Sequence, residues 1–327
     1  MALYLVTGGC GFIGGHLVER LLAEGHGVRV LDDLSTGHRD AVDPRARFVQ
    51  GDGAQTGEVR ALLRDEKVDA VLHFAAKIRV EESVQDPRLY WQKNLVATLA
   101  LLDAVVDAKL PFVFSSTAAV YGTPDEVPIP EDHPKRPVSP YGDTKLAIEH
   151  ALEAYGAAYG LPWAALRYFN AAGADAAAGL GERHEPETHL IPIVLDVAAG
   201  KRASVALYGT DWPTPDGTCV RDYVHVLDLA EAHLAAVEHL ARGGASGAFN
   251  LGTGRGHSVR EVVEAARRVS GRPIAVVEAP RRAGDPPSLV AKVDRAREVL
   301  GWRARRGDLD AVVGDAWAWK LREIDKP

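Results

Sequence analysis

The sequence predicts an α/β protein with a doubly wound parallel sheet, followed by a smaller mixed α/β domain. Three observations support this prediction. Short apolar runs alternate with helical patterns in the first half, a glycine-rich turn follows the first of these runs, and the composition changes near residue 170. Alternating strands and helices are typical of βαβ units, whose helices cover both faces of a parallel sheet. We therefore expect domains at residues 1–170 and 171–327, whose elements could interleave.

Five apolar runs in the first half predict strands, and Pro111 introduces the last of them. These runs are 3–6, 28–31, 47–50, 68–74 and 112–115. Helical spacing of Leu, Val and Ala predicts helices at 14–24, 91–108, 190–199, 226–242 and 258–270. Segments rich in Gly, Pro and charge, at 172–186 and 211–218, predict loops in the second half.

Composition excludes several classes of protein. The 327 residues are 46% hydrophobic and 25% charged, and their formal net charge of -7 argues against general nucleic-acid binding. We find no signal-peptide pattern and no apolar run of about 18 residues, so we expect a cytoplasmic protein without a membrane partner. Cys10 and Cys219 lack a Cys-x-x-Cys or His-rich neighbourhood, so we expect neither a disulfide framework nor a metal.

The turn after the first predicted strand has the spacing of a dinucleotide-binding fingerprint. Gly8, Gly11 and Gly14 allow a tight turn, a close approach to a pyrophosphate and close packing of helix on strand. Phe12 and Ile13 would open the helix, whose amino terminus favours phosphate. The pattern predicts a Rossmann-type site.

Acidic and small residues follow the later strands, at the sheet edge where open α/β sheets bind ligands. Asp32 ends the second strand, and its carboxylate suits the two ribose hydroxyls of NAD while repelling a 2′-phosphate. Asp33 is a second candidate or a solvated turn residue, and Asp52 before Gly53 is either an adenine contact or a helix cap. Further cofactor contacts are expected from Phe74, Ala75 and Ala76.

The strongest chemical signal is the Tyr-x-x-x-Lys spacing of Tyr141 and Lys145. Positions four apart share a helix face, so the ammonium group and an oxidised nicotinamide would lower the pKa of the phenol toward that of a general base. Thr117, at the end of a strand, would hydrogen-bond the reacting oxygen or simply satisfy the strand end.

Together these motifs resemble the extended short-chain dehydrogenase/reductases, within them the family of NAD-dependent nucleotide-sugar epimerases and dehydratases. The resemblance runs nearly end to end. It includes LRYFN at 166–170, DGTCVRDYVHV at 216–226, NLGTG at 250–254 and RRAGD at 281–285.

The resemblance implies NAD as cofactor and inversion at C4 of a UDP-hexose, through a transient 4-keto sugar and enzyme-bound NADH, which would interconvert UDP-glucose and UDP-galactose. It also implies a homodimer built on helices such as 91–108 and 141–159. Tyr141 would be the base, Thr117 its hydroxyl partner, and Lys145 the group that tunes Tyr141 and holds the nicotinamide ribose. Ser115, Asn94 and Phe169 would be further cofactor contacts.

The implied substrate contacts lie mostly in the second half of the chain. Two arginines suit a diphosphate because a guanidinium donates two parallel hydrogen bonds, although solvated surface arginines are the alternative. Besides Thr117 and Tyr141, the contacts are Asn170, His189, Leu190, Ala206, Tyr208, Arg221, Arg282 and Asp285.

The chain departs from the family pattern at four places. Ile78 replaces a lysine of many relatives, Gly53 a larger apolar residue, and His189 an asparagine of some relatives. Leu289 lies where the family sets pocket size, which leaves acceptance of N-acetylated sugars open.

Four alternatives to this reaction stay open. One is 4-epimerisation of another UDP-sugar, an N-acetylhexosamine or a uronic acid. A dehydratase is another, yet related dehydratases carry an Asp-Glu pair where this chain has Ala118 and Ala119. An ordinary dehydrogenase that releases NADH is the third. A dinucleotide-sensing scaffold is the fourth, and it would not need Tyr141 or Lys145.

Overall fold

The computed structural model describes residues 1–282 and 284–324, so Ala283 of the 281–285 motif lies outside the described residues. The strands are β1 (Leu3–Thr7), β2 (Gly27–Asp32), β3 (Arg47–Gln50), β4 (Ala70–His73), β5 (Phe112–Thr117), β6 (Trp163–Tyr168), β7 (Asn170–Ala172), β8 (Val205–Tyr208), β9 (Val220–Arg221), β10 (Tyr223–His225), β11 (Gly247–Leu251), β12 (His257–Ser258), β13 (Val276–Ala279) and β14 (Ser288–Leu289).

The helices alternate with strands in the first half and cluster in the second. They are α1 (Phe12–Ala23), α2 (Thr56–Asp65), α3 (Val80–Gln85), α4 (Pro87–Tyr90), α5 (Ala97–Ala108), α6 (Pro140–Tyr159), α7 (Leu190–Ala198), α8 (Val226–Ala241), α9 (Val259–Ser270), α10 (Asp294–Leu300) and α11 (Leu309–Ile324), with 3₁₀ turns at Arg39–Ala41 and Ala118–Val120. None of them, within the described ranges, is long and apolar enough to cross a membrane.

Seven parallel strands form the main sheet in the order β11-β6-β5-β4-β1-β2-β3. The strand order reverses between β1 and β4, so the connections that leave these two strands run to opposite sides of the sheet. The crevice between them is where open α/β sheets bind ligands. This arrangement confirms the predicted doubly wound α/β fold.

Two apolar layers cover the sheet. On one face α1 and α8 pack against it, and on the other face α2, α5 and α6 do so. Strand residues such as Leu5, Val6, Val113 and Phe114 are fully buried because both faces of the sheet are covered.

The second half of the chain divides between the sheet and a separate core. Strand β11 pairs with β6 and α8 lies on the sheet, although both come after residue 170. A further core forms between α7, α9 and α11, beside β7, β8 and β10. Strand β11 and helix α8 thus pack with elements of the first half of the chain.

The predicted helix at 91–108 is not one regular helix. Residues Trp91–Val96 form a π-helical turn and the α-helix begins at Ala97. Such a wide turn often marks a functional site. Here it contains Asn94, whose side chain is held by the neighbouring loop, as described below.

Candidate active site

The glycine turn between β1 and α1 admits no side chain at two of its positions. Gly8 has φ +71°, and a Cβ there would lie 2.5 Å from the backbone nitrogen of Ala75. A Cβ on Gly14 would lie 2.3 Å from the carbonyl oxygen of Gly8. Gly11 is the N-cap of α1 and provides no side-chain cap, so the first N–H groups of the helix, from Phe12 and Ile13 onward, face outward. Such a helix start suits a phosphate group.

Asp32 holds this turn in place. Its carboxylate accepts hydrogen bonds of 2.9 Å from the backbone N–H groups of Cys10 and Leu34, and the residue is buried. The acid therefore lies against the glycine turn at the reversal of the sheet, where the sequence predicts a ribose contact. Asp33 is exposed and accepts a hydrogen bond from Ser35 N–H.

Asp52 follows β3, on the far side of β2. One carboxylate oxygen accepts from Ala54 N–H at 3.0 Å and the other pairs with Lys93 Nζ at 3.0 Å. Burial raises the pKa of Asp52, but these partners outweigh burial and lower it. Within the described residues, a Cβ on the adjacent Gly53 would meet no atom within 4 Å, so this corner has room for a planar group.

The loop after β4 carries Phe74, Ala75 and Ala76, and Asn94 fixes its far end. The Asn94 amide accepts from Lys77 N–H at 2.8 Å and donates to the Lys77 carbonyl at 3.0 Å. It also donates to Thr144 Oγ1 at 3.2 Å, in the helix that carries Tyr141 and Lys145. The amide of Asn94 therefore holds the loop and α6 together.

Tyr141 lies in the first turn of α6, which Ser139 caps through Gly142 N–H and Pro140 opens. Burial raises the pKa of the Tyr141 phenol to about 12, and a side-chain hydrogen bond with Thr117 opposes the rise. Thr117 ends β5, and its Oγ1 accepts from Ala119 N–H at 3.2 Å. Thr117 therefore lies within reach of the Tyr141 hydroxyl, as the sequence predicts.

Lys145 is buried one turn after Tyr141. Its Nζ donates to the Ser115 carbonyl at 2.8 Å and lies 5.9 Å from the centre of the Tyr141 ring. Burial lowers the pKa of Lys145 to about 7, although Glu149 opposes the shift. In the protein alone, burial rather than Lys145 dominates the pKa of Tyr141, which differs from the sequence-based expectation.

The 3₁₀ turn Ala118–Val120 follows Thr117 and touches the start of α6. A Cβ on Gly142 would lie 2.8 Å from the Ala119 carbonyl oxygen, so the two segments are in close contact. Ala118 and Ala119 therefore lie beside the hydroxyl pair and contribute no acid or base. Ser115 hydrogen-bonds the Tyr168 hydroxyl, and Phe169 packs against an apolar cluster that includes Ala118 and Leu289 at its margin.

A buried ion pair behind Thr117 was not predicted from the sequence. Glu149 and Arg167 have side chains only 1% and 2% exposed and lie 2.6 Å apart. Ser116 donates to Glu149 at 2.6 Å, and Arg167 donates to the Tyr121 hydroxyl at 2.8 Å. The only sequence pattern that includes Glu149 is its four-residue spacing from Lys145, which places both on one face of α6 but does not indicate the pairing with Arg167.

The residues expected to bind nucleotide meet in the second half of the chain. Arg282 Nε lies 2.9 Å from Asp285, and its guanidinium lies 4.7 Å from the Tyr208 ring centre. Arg221 lies 3.8 Å from the same Asp285. Ala206 is two positions before Tyr208 in β8. The structure therefore brings together five predicted contacts.

Of the remaining predicted substrate contacts, Asn170 lies in β7, and His189 and Leu190 lie at the start of α7. Asn170 begins β7, and its N–H donates to the Asp222 carbonyl at 3.0 Å. His189 is the N-cap residue of α7 and Leu190 its first residue. Burial lowers the pKa of the His189 imidazole, but Glu182 and Glu187 outweigh burial and raise it to about 10. Two carboxylates therefore lie against this imidazole at the start of α7.

Comparison with known proteins identifies this arrangement. Residues 4–252 match the NAD dependent epimerase/dehydratase family. The chain is 50% identical over 315 residues to the UDP-glucose 4-epimerase of Lacticaseibacillus casei, with 96% of this chain and 95% of the relative covered.

Two solved structures are similar over nearly the whole chain. UDP-glucose 4-epimerase from Brucella ovis in complex with NAD has 47% identity, a TM-score of 0.94, and coverage of 97% of this chain and 98% of that one. The UDP-Glc/GlcNAc 4-epimerase of Campylobacter jejuni has 40% identity, a TM-score of 0.86, and coverage of 98% and 100%.

Proposed function

The chain belongs to the NAD-dependent epimerase/dehydratase family, and from this membership we propose that it interconverts UDP-glucose and UDP-galactose by inverting C4 of the sugar. The observation that carries the proposal is the Thr117 hydroxyl within reach of Tyr141, which lies one helical turn before the buried Lys145. Ala118 and Ala119 follow directly, so the site is built for proton transfer at one alcohol.

NAD fits the residues present. The turn at Gly8 and Gly14 excludes a Cβ, the start of α1 faces outward, and the Asp32 carboxylate lies against the turn. When bound, NAD supplies reversible oxidation of a carbon atom and, in its oxidised form, a positive charge beside the phenol. We assign cofactor contacts to Gly8, Gly11, Phe12, Ile13, Gly14, Asp32, Asp33, Asp52, Gly53, Phe74, Ala75, Ala76, Asn94, Ser115, Tyr141, Lys145 and Phe169.

Tyr141 takes the proton from the 4-hydroxyl of the sugar and returns it when the opposite configuration forms. Thr117 orients the reacting oxygen, and Lys145 binds the nicotinamide ribose. Because burial raises the pKa of Tyr141 to about 12, the phenolate needs added positive charge to form near neutral pH.

If the nucleotide is bound firmly and the sugar loosely, the sugar can turn and present either face of C4 to the nicotinamide. Arg221 and Arg282 suit the diphosphate, and Asp285 between them suits the uridine ribose. The part of the chain around the α7, α9 and α11 core would thus bind the UDP-sugar. The seven-stranded sheet would bind the dinucleotide. The further contacts proposed are Asn170, His189, Leu190, Ala206 and Tyr208, with Thr117 and Tyr141 at the sugar.

A second substrate class is favoured by one observation. Leu289 is half-buried and packs against the apolar cluster of Ala118, Val120, Tyr121 and Ile129, and a solved structure with 40% identity is named for both glucose and N-acetylglucosamine sugars. The Leu289 side chain is of medium size and stays partly exposed at the edge of this cluster. UDP-N-acetylhexosamines are therefore the second candidate substrates.

We also propose a homodimer and a cytoplasmic location. The π turn and α6 present exposed apolar side chains, including Trp91, Val96 and Tyr159, which suit a self-complementary helix face. Both cysteines are free and buried, as suits a reducing compartment.

One experiment tests the reaction. Purified protein given UDP-galactose without added NAD should form UDP-glucose, measured by NMR, with no free NADH at 340 nm. Tyr141→Phe should lower kcat by about 10²- to 10⁴-fold. Tyr155→Phe is the matched control, because Tyr155 lies on the same helix as Tyr141 and its hydroxyl donates instead to Asp103 of α5. Full activity of Tyr141→Phe would refute the assigned base, and a need for added NAD with release of NADH would indicate an ordinary dehydrogenase.

A further inference from the structure

Four side chains in the loop between β7 and α7 converge on one point. Glu182, His184, Glu187 and His189 each offer one ligand atom, and these atoms all lie within 4.8 Å of one another. The side chains of Glu182, Glu187 and His184 are largely buried, that of His189 is 40% exposed, and the two imidazole ring centres are 5.1 Å apart. We name this group the Glu/His cluster.

The distances in the Glu/His cluster suit ligands of one small cation. Nδ1 of His189 lies 2.7 Å from Glu182 Oε1 and 3.3 Å from Glu187 Oε1. Nδ1 of His184 lies 3.1 Å from Glu182 Oε1 and 3.7 Å from Glu187 Oε2. Ligand atoms at about 2.1 Å from a tetrahedral zinc ion lie about 3.4 Å from each other. The four measured distances lie on both sides of that value.

His184 adds an independent observation. Its Nδ1 is inaccessible to solvent and has no hydrogen-bond partner among the described residues, although Glu182 Oε1 is 3.1 Å away. The nitrogen and the oxygen are thus neighbours without the alignment of a hydrogen bond. A buried polar atom without a partner is unfavourable, and a cation between the two atoms would satisfy both.

The backbone around the cluster is fixed from two sides. The Glu182 carbonyl accepts from Trp319 Nε1 at 3.3 Å, and the Arg183 carbonyl lies 3.1 Å from His38 Nε2. The Arg183 side chain pairs with Asp40. Ligands held by such supporting contacts are pre-organised for a metal.

We propose that the Glu/His cluster binds one divalent cation of the zinc class, in a closed site of two imidazole nitrogens and two carboxylate oxygens. Two carboxylates neutralise the charge of the cation, and two imidazoles with two oxygens favour Zn²⁺ over Mg²⁺ or Ca²⁺. The ion joins the loop at 182–187 to the start of α7. The ion takes no part in the proposed proton transfer, and the cluster shares only His189 with the proposed substrate contacts, so binding of Zn²⁺ is measured separately from epimerase activity.

Protons are the competing occupants of the cluster, because each imidazole can instead form an ion pair with a carboxylate. Binding of the cation therefore releases protons and becomes tighter as pH rises. A cluster held together only by ion pairs would bind no cation. The amount of bound cation therefore distinguishes the ion-paired cluster from a metal site.

The test uses the full chain after treatment with EDTA. After Zn²⁺ is added back to this metal-free chain, we expect one equivalent to remain bound after dialysis against metal-free buffer. Co²⁺ added in its place should give the intense visible absorption of a tetrahedral site. At free Zn²⁺ about 100 times the dissociation constant, the folding equilibrium should shift about 100-fold toward the folded state.

Three variants complete the test. His184→Ala and Glu187→Gln should each lose the Zn²⁺ equivalent and the Co²⁺ absorption, while Glu185→Gln, which removes an exposed carboxylate from the same loop, should keep both. Circular dichroism verifies that each variant is folded. Absence of Zn²⁺ and Co²⁺ binding by the unaltered chain, or equal binding by folded His184→Ala, would overturn the proposal.

Discussion

The ammonium nitrogen of Lys145 donates a 2.8 Å hydrogen bond to the carbonyl oxygen of Ser115, two residues before Thr117. This bond joins the buried face of α6 to the end of β5. Because Tyr141 is one helical turn before Lys145, the same bond aligns its hydroxyl with that of Thr117. Lys145 thus has a positioning role in addition to its charge.

Replacement of Lys145 by Met should lower kcat for UDP-galactose by about 10²-fold or more, because both the positive charge and the link to β5 are lost. Stopped assays with NMR detection measure the rate. Lys201→Met, on an exposed turn, is the control. An unchanged kcat in Lys145→Met would contradict the role assigned to the ammonium group.

Arg282→Gln should raise the KM for UDP-galactose by about 10- to 100-fold with little change in kcat, because a charge-assisted contact to the diphosphate is lost. The neighbouring Arg281 provides a matched control, since it pairs with Asp211 and stacks on Trp212 instead. Equal effects of Arg281→Gln and Arg282→Gln would argue against a specific diphosphate contact.

Leu289→Ala should enlarge the sugar pocket and raise the ratio of kcat/KM for UDP-N-acetylgalactosamine over UDP-galactose by about tenfold. The reason is that Leu289 packs against the apolar cluster that begins at Ala118, directly after Thr117. Parallel assays of both substrates on one preparation give the ratio directly. A ratio equal to that of the unaltered chain would show that another residue limits the pocket.

Glu149→Gln should lower the free energy of unfolding by about 3 to 5 kcal/mol, because Arg167 would remain buried without its carboxylate. Urea denaturation measures the change. Replacement of both Glu149 and Arg167 by Met should cost less than the single change. Glu153→Gln, exposed one turn later on α6, should be nearly neutral.

His233 should make the fold sensitive to acid. Burial lowers the pKa of this imidazole to about 4, against about 6.5 in an unfolded chain. Between pH 4 and pH 6.5, this imidazole is protonated in the unfolded state and neutral in the folded state. The stability that the neutral His233 provides is therefore fully present above about pH 6.5 and declines as pH falls toward 4. The expected loss is about 1.4 kcal/mol per pH unit. In urea titrations at pH 5 and 7, His233→Gln should lose less stability than the unaltered chain, and an identical loss would refute the prediction.

Sequence patterns predicted most of the sheet because its strands are continuous apolar runs separated by helical spacing. They also predicted the Tyr141 and Lys145 pair, since four-residue spacing fixes a shared helix face. The sequence could not reveal that β11 would pair with β6, because pairing between distant strands depends on the packing of α8 and not on local composition.

Other features depended on three-dimensional environment. The high pKa of Tyr141 follows from burial, which no spacing predicts. The Glu/His cluster was not predicted, because its two histidines are separated by glutamates and do not have the spacing of a common metal-binding motif. Glu149 and Arg167, eighteen residues apart, required the fold to bring them together.

The pairing of β11 with β6 has a consequence for synthesis of the chain. Strand β6 ends at Tyr168 and its outer neighbour begins at Gly247, so a growing chain carries an open sheet edge until that later segment emerges from the ribosome. An open edge is a template for association with other chains. We therefore expect a fragment that stops at residue 170 to aggregate during translation, whereas the 327-residue chain covers β6 with β11, which becomes the outer strand.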